Sequence, residues 1–226
     1  MRPFGGVSCP ARVPTGRYEV IVVSSLSVVG VCVLALCSAG CSSTAKASSP
    51  AWLEASPGLQ ERIDRKATSL AYTPGLEARV QLITWFAKVG EPAYPTLLEM
   101  MHDPRPDVAG AALAALGATR DARLVSYLRE PGPSETESVA LERGRALLML
   151  GDWSGIPVMI KGLRAEHHYT RAVCHRALSD VAHETFGFDP RGEAPAREAA
   201  VDRWEAWWDT RVSDPLLAKP VDAPTE

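Results

Sequence analysis

No block of basic residues occurs in this 226-residue chain; 24 Lys and Arg are scattered among 27 Asp and Glu, for a net charge of −3. A polyanion needs a clustered positive surface, so nucleic-acid binding is not expected. Cysteines are few, five in all, and this excludes a mini-domain held by a dense disulfide framework. Aromatic residues make up only 7% of the chain, but 46% is hydrophobic, which excludes a largely disordered polypeptide. The sequence also lacks a G-x-S-x-G elbow, a Walker loop and a Gly-rich dinucleotide fingerprint. No catalytic residue and no cofactor is assigned on that basis.

The first pattern present is one of export. Residues 20–40 carry no charge, and the densest part reads VIVVSSLSVVGVCVLAL over residues 20–36. Arg2, Arg12 and Arg17 precede it, with Glu19 the only acid. A basic stretch before an apolar run marks a secretory signal. The run, about 20 residues, is also long enough for the alternative, a retained transmembrane anchor. It closes on Ser38-Ala39-Gly40-Cys41. That ending resembles the lipobox of bacterial lipoproteins, with Gly40 and Ala39 fitting and Ser38 standing where Leu is usual. The resemblance implies cleavage before Cys41, acylation of its thiol and anchoring in the cell envelope. In a diderm bacterium the absence of Asp at Ser42 implies the outer membrane, facing the periplasm. Each buried methylene of an acyl chain contributes about 0.8 kcal/mol, so two or three chains hold firmly. Removing residues 1–40 would leave 186 residues. Three arginines and one glutamate go with the segment, which takes the net charge from −3 to −5. Cys174 is then the one cysteine besides Cys41, with no intramolecular partner.

The rest of the chain divides into a flexible tether over 41–55, with Trp52 and Leu53 as its first docking point, and a helical region over 56–184. A Trp-rich cap over 185–210 and a disordered tail over 211–226 follow. Ser56-Pro57 gives an N-cap and a first-turn proline, and Leu59, Ile63, Ala67 and Leu70 recur at helical spacing, so a helix is expected over 57–72. A repeat follows. The segments ARVQLITWF (78–86), VAGAALAAL (108–116), VALERGRAL (139–147) and TRAVCHRAL (170–178) begin 30, 31 and 31 residues apart. Breaks at 90–92, 119–121 and 151–153 lead into second helices over 94–102, 122–129 and 156–164. Residues 97–129 (LLEMMHDPRPDVAGAALAALGATRDARLVSYLR) resemble HEAT repeats of the short bacterial type, also called PBS-lyase HEAT-like. The resemblance implies an all-α fold, an α-solenoid of about four HEAT-like helix pairs, and says little about activity.

In that family the second helices line the concave face. Aligning Pro95, Val125 and Pro157 puts Leu97, Tyr127 and Met159 in one row and Glu99, Arg129 and Lys161 in the next. These six are the candidate contacts for an unidentified protein partner. The competing reading has the first row packed between repeats and the second simply solvated. At the C-terminus, Val201, Trp204 and Trp208 share a helical face with Trp207 beside it. A cap over the last repeat is expected there; an exposed aromatic patch is the alternative.

One cluster tempts a metal or enzymatic assignment: His167, His168, Cys174, His175 and His183. Residues 168 and 175 lie nearly in line on a helix, which gives two ligands at most, and Cys174 is turned about 100° away. His183-Glu184 starts an H-E-x-x-H motif, but Gly187 stands where the second His belongs. No metal site is assigned. The expected role is a membrane-tethered, non-catalytic interaction scaffold. The alternatives are a metal-dependent or accessory enzyme using the histidines, and a self-associating structural envelope protein.

Overall fold

The computed structural model describes residues 52–214 other than 74 and 134. The signal segment, Cys41, most of the tether and residues 215–226 of the tail lie outside the described residues. Only helices and turns occur among the described residues, with no strand.

Helix α1 (Pro57–Tyr72) starts after the extended residue Ser56, with Pro57 where a missing N–H costs nothing. Ile63 and Leu70, two turns apart, are its buried residues. Long and short helices then alternate: α2 (Leu76–Val89) and α3 (Tyr94–Met100), α4 (Pro106–Ala118) and α5 (Val125–Leu128), α6 (Glu137–Met149) and α7 (Ile156–Gly162). The long α8 (His168–Ala182) and α9 (Ala194–Ser213) complete the order. The expected second helices come out shorter: α5 yields its first three residues to the tight 3-10 turn Ala122–Leu124, α3 and α7 each end two residues early, and equivalent turns, Glu91–Ala93 and Trp153–Gly155, lead into them. Asp121 and Asp152 start two of these turns, accepting hydrogen bonds from the backbone N–H of Arg123 and Ser154.

A single backbone device ends each of the first four long helices after α1. Gly90, Arg120, Gly151 and His183 all have positive φ (70°, 58°, 87° and 57°) and lie 30, 31 and 32 residues apart. Glycine adopts this conformation freely. For Arg120 and His183 it costs about 1–2 kcal/mol each.

The long helices pack in succession, α2 on α4, α4 on α6 and α6 on α8. Small residues set the spacing. A Cβ on Gly117 would lie 2.8 Å from the Ala146 Cα, and one on Gly155 would lie 2.3 Å from the Gly144 carbonyl oxygen. A Cβ on Gly162 would sit 2.4 Å from the Cys174 sulfur. Leu147 of α6 joins the core that extends back to α1, and its neighbour Leu148 joins the core that extends on to α9. Buried Arg171 fastens the turn before α8 to the loop before α9. It donates to the carbonyls of Ala165 (2.8 Å), Glu166 (2.5 Å) and Pro190 (2.8 Å).

Both boundaries set from sequence shift. Described structure begins by Trp52, inside the expected tether and at its expected docking point. The Trp52 ring lies 4.9 Å from that of Tyr94 and 5.8 Å from that of Tyr127, and the Leu53 N–H donates to Glu91 at 3.0 Å. At the other end α9 runs on to Ser213, so residues 211–213 are helix and not tail. Trp204 is fully buried, edge-on to Phe186 at 4.7 Å, and Trp207 and Trp208 are half-buried beside it.

Two glycines of α4 give opposite predictions. Gly117→Ala forces the backbone of α6 to move and should destabilise by about 1–3 kcal/mol. At Gly110 an added Cβ meets only the Glu142 side chain at 3.5 Å, so Gly110→Ala should stabilise by about 0.4–1 kcal/mol through helix propensity. Thermal melts of the two variants should therefore shift in opposite directions.

Candidate functional site

The second helices align differently from the expected register. The tight turns and the helices that follow place Tyr94, Val125 and Ile156 in equivalent positions, 31 residues apart each time. The residues just before them, Ala93, Leu124 and Gly155, are all buried. Leu124 thus belongs to the turn and not to the helix, and the alignment through Pro95, Val125 and Pro157 is off by one at α5. The correct companions of Leu97 and Met159 are Leu128, and the three are 0%, 1% and 0% exposed respectively. Leu97 and Met159 are therefore core residues and not a binding stripe. Tyr127 is half-buried and lies against Trp52, so the chain itself covers it.

Charged partners tie this side of the protein together. Arg123 donates to Asp121 at 2.6 Å and to Glu91, with its guanidinium over Trp52 at 5.2 Å. The Tyr94 hydroxyl donates to Asp121 at 3.1 Å. One turn on, Arg129 donates to Asp152 at 2.8 Å, which removes it from the candidate partner contacts as a free charge. Hydrogen bonds from Arg123 hold the Glu91 and Asp121 carboxyls below their ordinary values. Burial pushes the Asp152 carboxyl up, but Arg129 and Ser154 more than offset it, so it too lies low. Glu99 and Lys161 are exposed, Lys161 lying 3.9 Å from Glu137.

The open apolar surface is on the opposite, long-helix side. A groove of about 490 Å³ crosses α2, α4, α6 and α8. Its floor includes Gly110, Ala111 and Ala114 of α4, and its walls include Leu76 and Val80 of α2, Leu141 of α6 and Tyr169 of α8. Leu76, Val80 and Tyr169 are 68%, 49% and 63% exposed, three of the six large apolar side chains left open to solvent among the described residues. A second groove, about 780 Å³, adjoins it over the C-terminal halves of α6 and α8 and shares Arg145 and Val173. Sequence reasoning missed this surface. The available signal was Leu76 and Val80, one turn apart and about 100° round α2 from buried Phe86.

The histidines do not converge. His167 and His168 are exposed at the start of α8, and His183 is exposed at its end. At about 1.5 Å rise per residue, residues 168 and 183 are roughly 22 Å apart, and 168 and 175 about 10 Å. His175 of α8 faces α9 and the loop before it, 5.2 Å from Phe188 and 6.5 Å from Trp204 by ring centre. Among the described residues no group of three or more His, Cys, Asp or Glu is placed to hold a metal. His175 Nε2, Ser179 Oγ and Trp204 Nε1 are buried without a hydrogen-bond partner among the described residues. Burial pushes the Cys174 thiol up to about 12, which leaves it protonated and unreactive near neutral pH.

No protein-family model matches the chain, and no curated protein matches it. Among the described residues no helix is long and apolar enough to cross a membrane.

Two predictions concern these buried groups. Native protein treated with iodoacetamide should show no alkylation of Cys174 by peptide mass mapping, and unfolding should expose it fully. Burial, only partly opposed by a hydrogen bond with the Thr185 backbone, pushes the His175 imidazole below its ordinary value. The unfolded chain then binds this proton more readily, so stability is complete above about pH 6.5 and falls as the pH drops below it. In His175→Gln, the denaturant midpoint measured between pH 7 and pH 6 should lose that slope.

Proposed function

We propose that the protein is a membrane-tethered, non-catalytic scaffold of HEAT-like helix pairs that docks a partner protein in the cell envelope. One observation supports the helix-pair reading above the others. From α2 through α4 and α6 to α8 each long helix rests on the next, and each of these four ends on a positive-φ residue that recurs every 30–32 residues. Such stacking buries each unit against its neighbours and leaves long faces for binding, the arrangement of an α-solenoid. The all-helical fold, the fully buried Trp204 of a cap and the long open groove agree with this role. The site for the partner moves with the register, from the second-helix row to the long-helix groove. The tethering part of the proposal rests on the sequence around Cys41: acyl chains on its thiol hold the helical region at the envelope, at the outer membrane facing the periplasm in a diderm bacterium.

Intact mass of the native protein tests the tether. The expected mass is that of a chain beginning at Cys41 plus acyl chains, with Cys41→Ser shifting the protein from the membrane to the aqueous fraction. A full-precursor mass would replace the lipid anchor with a retained N-terminal one. For docking, a photoreactive residue at position 76 should give adducts with a distinct protein in cells, and one at position 127, covered by Trp52, should not. Absence of adducts from both positions would count against a scaffold.

A further inference from the structure

Taking the scaffold reading as its starting point, we propose that the long-helix groove receives an amphipathic helix of another polypeptide. That helix lays an apolar face across α2, α4 and α6 and ends in carboxylates over Arg120 and Arg176.

The groove lining argues for a helical occupant. It is built from helices and offers no strand edge: beyond the first-turn N–H groups at Leu76, Asp107, Ser138, Tyr169 and Thr170, the helix backbones are hydrogen-bonded within themselves. An extended segment laid there would find no strand edge to pair its alternating N–H and C=O groups, whereas a helix satisfies its own. The shallow floor of Gly110, Ala111 and Ala114 lets such a helix approach closely, between the exposed walls of Leu76, Val80 and Tyr169. Four packed helices have three spacings of about 8–10 Å. A ligand helix of about 18 residues, ~27 Å long, spans them.

Charge sets the direction. The adjoining groove is lined by Arg120, Arg145 and Arg176 against Asp180 alone. Arg145 is occupied by Glu142 at 2.6 Å. Arg176 holds Asp180 at 2.7 Å, but in an exposed i,i+4 pair of little strength. The exposed Arg120 side chain makes no hydrogen bond or ion pair among the described residues; its backbone N–H donates to the Gly117 carbonyl at 3.2 Å. A surplus of positive charge is therefore left at the α6–α8 end, and carboxylates complement it.

Arg120 carries a second, independent argument. It occupies the helix-ending position where Gly90 and Gly151 stand in the neighbouring pairs, and at φ 58° it is strained there. Glycine would relieve that strain. An arginine that costs stability and whose side chain engages no neighbour among the described residues is accounted for by a contact outside the fold.

The test uses the full chain in phospholipid nanodiscs and two labelled peptides of about 18 residues with the same Leu/Ala face. One ends in three glutamates and the other in three lysines, and binding is read by fluorescence anisotropy. The glutamate peptide should bind about tenfold more tightly, the equivalent of one good charge contact. Arg120→Gly should cut that ratio to near unity while leaving the melting temperature unchanged or higher. Val80→Glu, at an exposed wall position, should weaken both peptides. Equal affinity for the two peptides, no binding of either, or an unchanged ratio in Arg120→Gly each overturns the proposal. So does a fall in melting temperature for Arg120→Gly, since it would make the arginine structural. These readouts need neither the acyl anchor nor the natural partner. A protein that binds the peptide but yields no adducts in cells would fail the scaffold reading and keep this one.

Discussion

The closeness of α4 to α6 is the constraint on which the other features depend. Gly117 lies so near the Ala146 backbone that no side chain fits between them, and Gly144 with Gly155 repeats the condition between α6 and the turn before α7. At such distances small losses of fit are not absorbed, because packed interiors have few voids to yield into. α6 also carries Leu147 and Leu148 into two different clusters of the core. A shift of this one helix would therefore be felt from α1 to α9. A different set of small residues on α4 has another effect. Gly110, Ala111 and Ala114 project little between the larger side chains of α2, α6 and α8, and the long-helix groove is the trough that results.

The two sides of the helical region are thus unlike. On the short-helix side, aspartates at the starts of the tight turns accept from a neighbouring unit, Asp121 from Tyr94 and Asp152 from Arg129, and Trp52 lies over the tyrosines. Polar groups there are spent on holding successive units in register. On the long-helix side, apolar side chains stay open and the Arg120 side chain has no hydrogen bond or ion pair among the described residues. Stability and recognition are carried by different surfaces, so substitutions on one need not disturb the other.

Much of this was legible in the sequence. Helical periodicity, Ser56-Pro57 and the breaks at Gly90 and Gly151 located the long helices within a few residues, because local propensity and burial point the same way there. The register of the short helices was not legible at α5. Ala93, Leu124 and Gly155 fill equivalent buried positions with side chains of very different size. A buried turn leucine reads like the first apolar residue of a helix, and the error carried Tyr127 into the wrong row. The groove was hidden for another reason. The Ala-rich run of α4 has the composition of a core helix, and it is largely one. Only the neighbours' heights, set in three dimensions, turn part of it into a floor. The histidines were close in sequence but stand along one rigid rod, which keeps them apart.

The anchoring of Trp52 bears on distance. It fixes the chain at Trp52 against Tyr94 and Tyr127. Eleven peptide steps separate it from Cys41, and at about 3.5 Å each they reach no further than roughly 40 Å. On the proposed lipid anchoring, the helical region works within a shallow layer next to the bilayer. A partner embedded in the same leaflet, or held equally close to it, then meets the groove at a high local concentration without needing a strong contact.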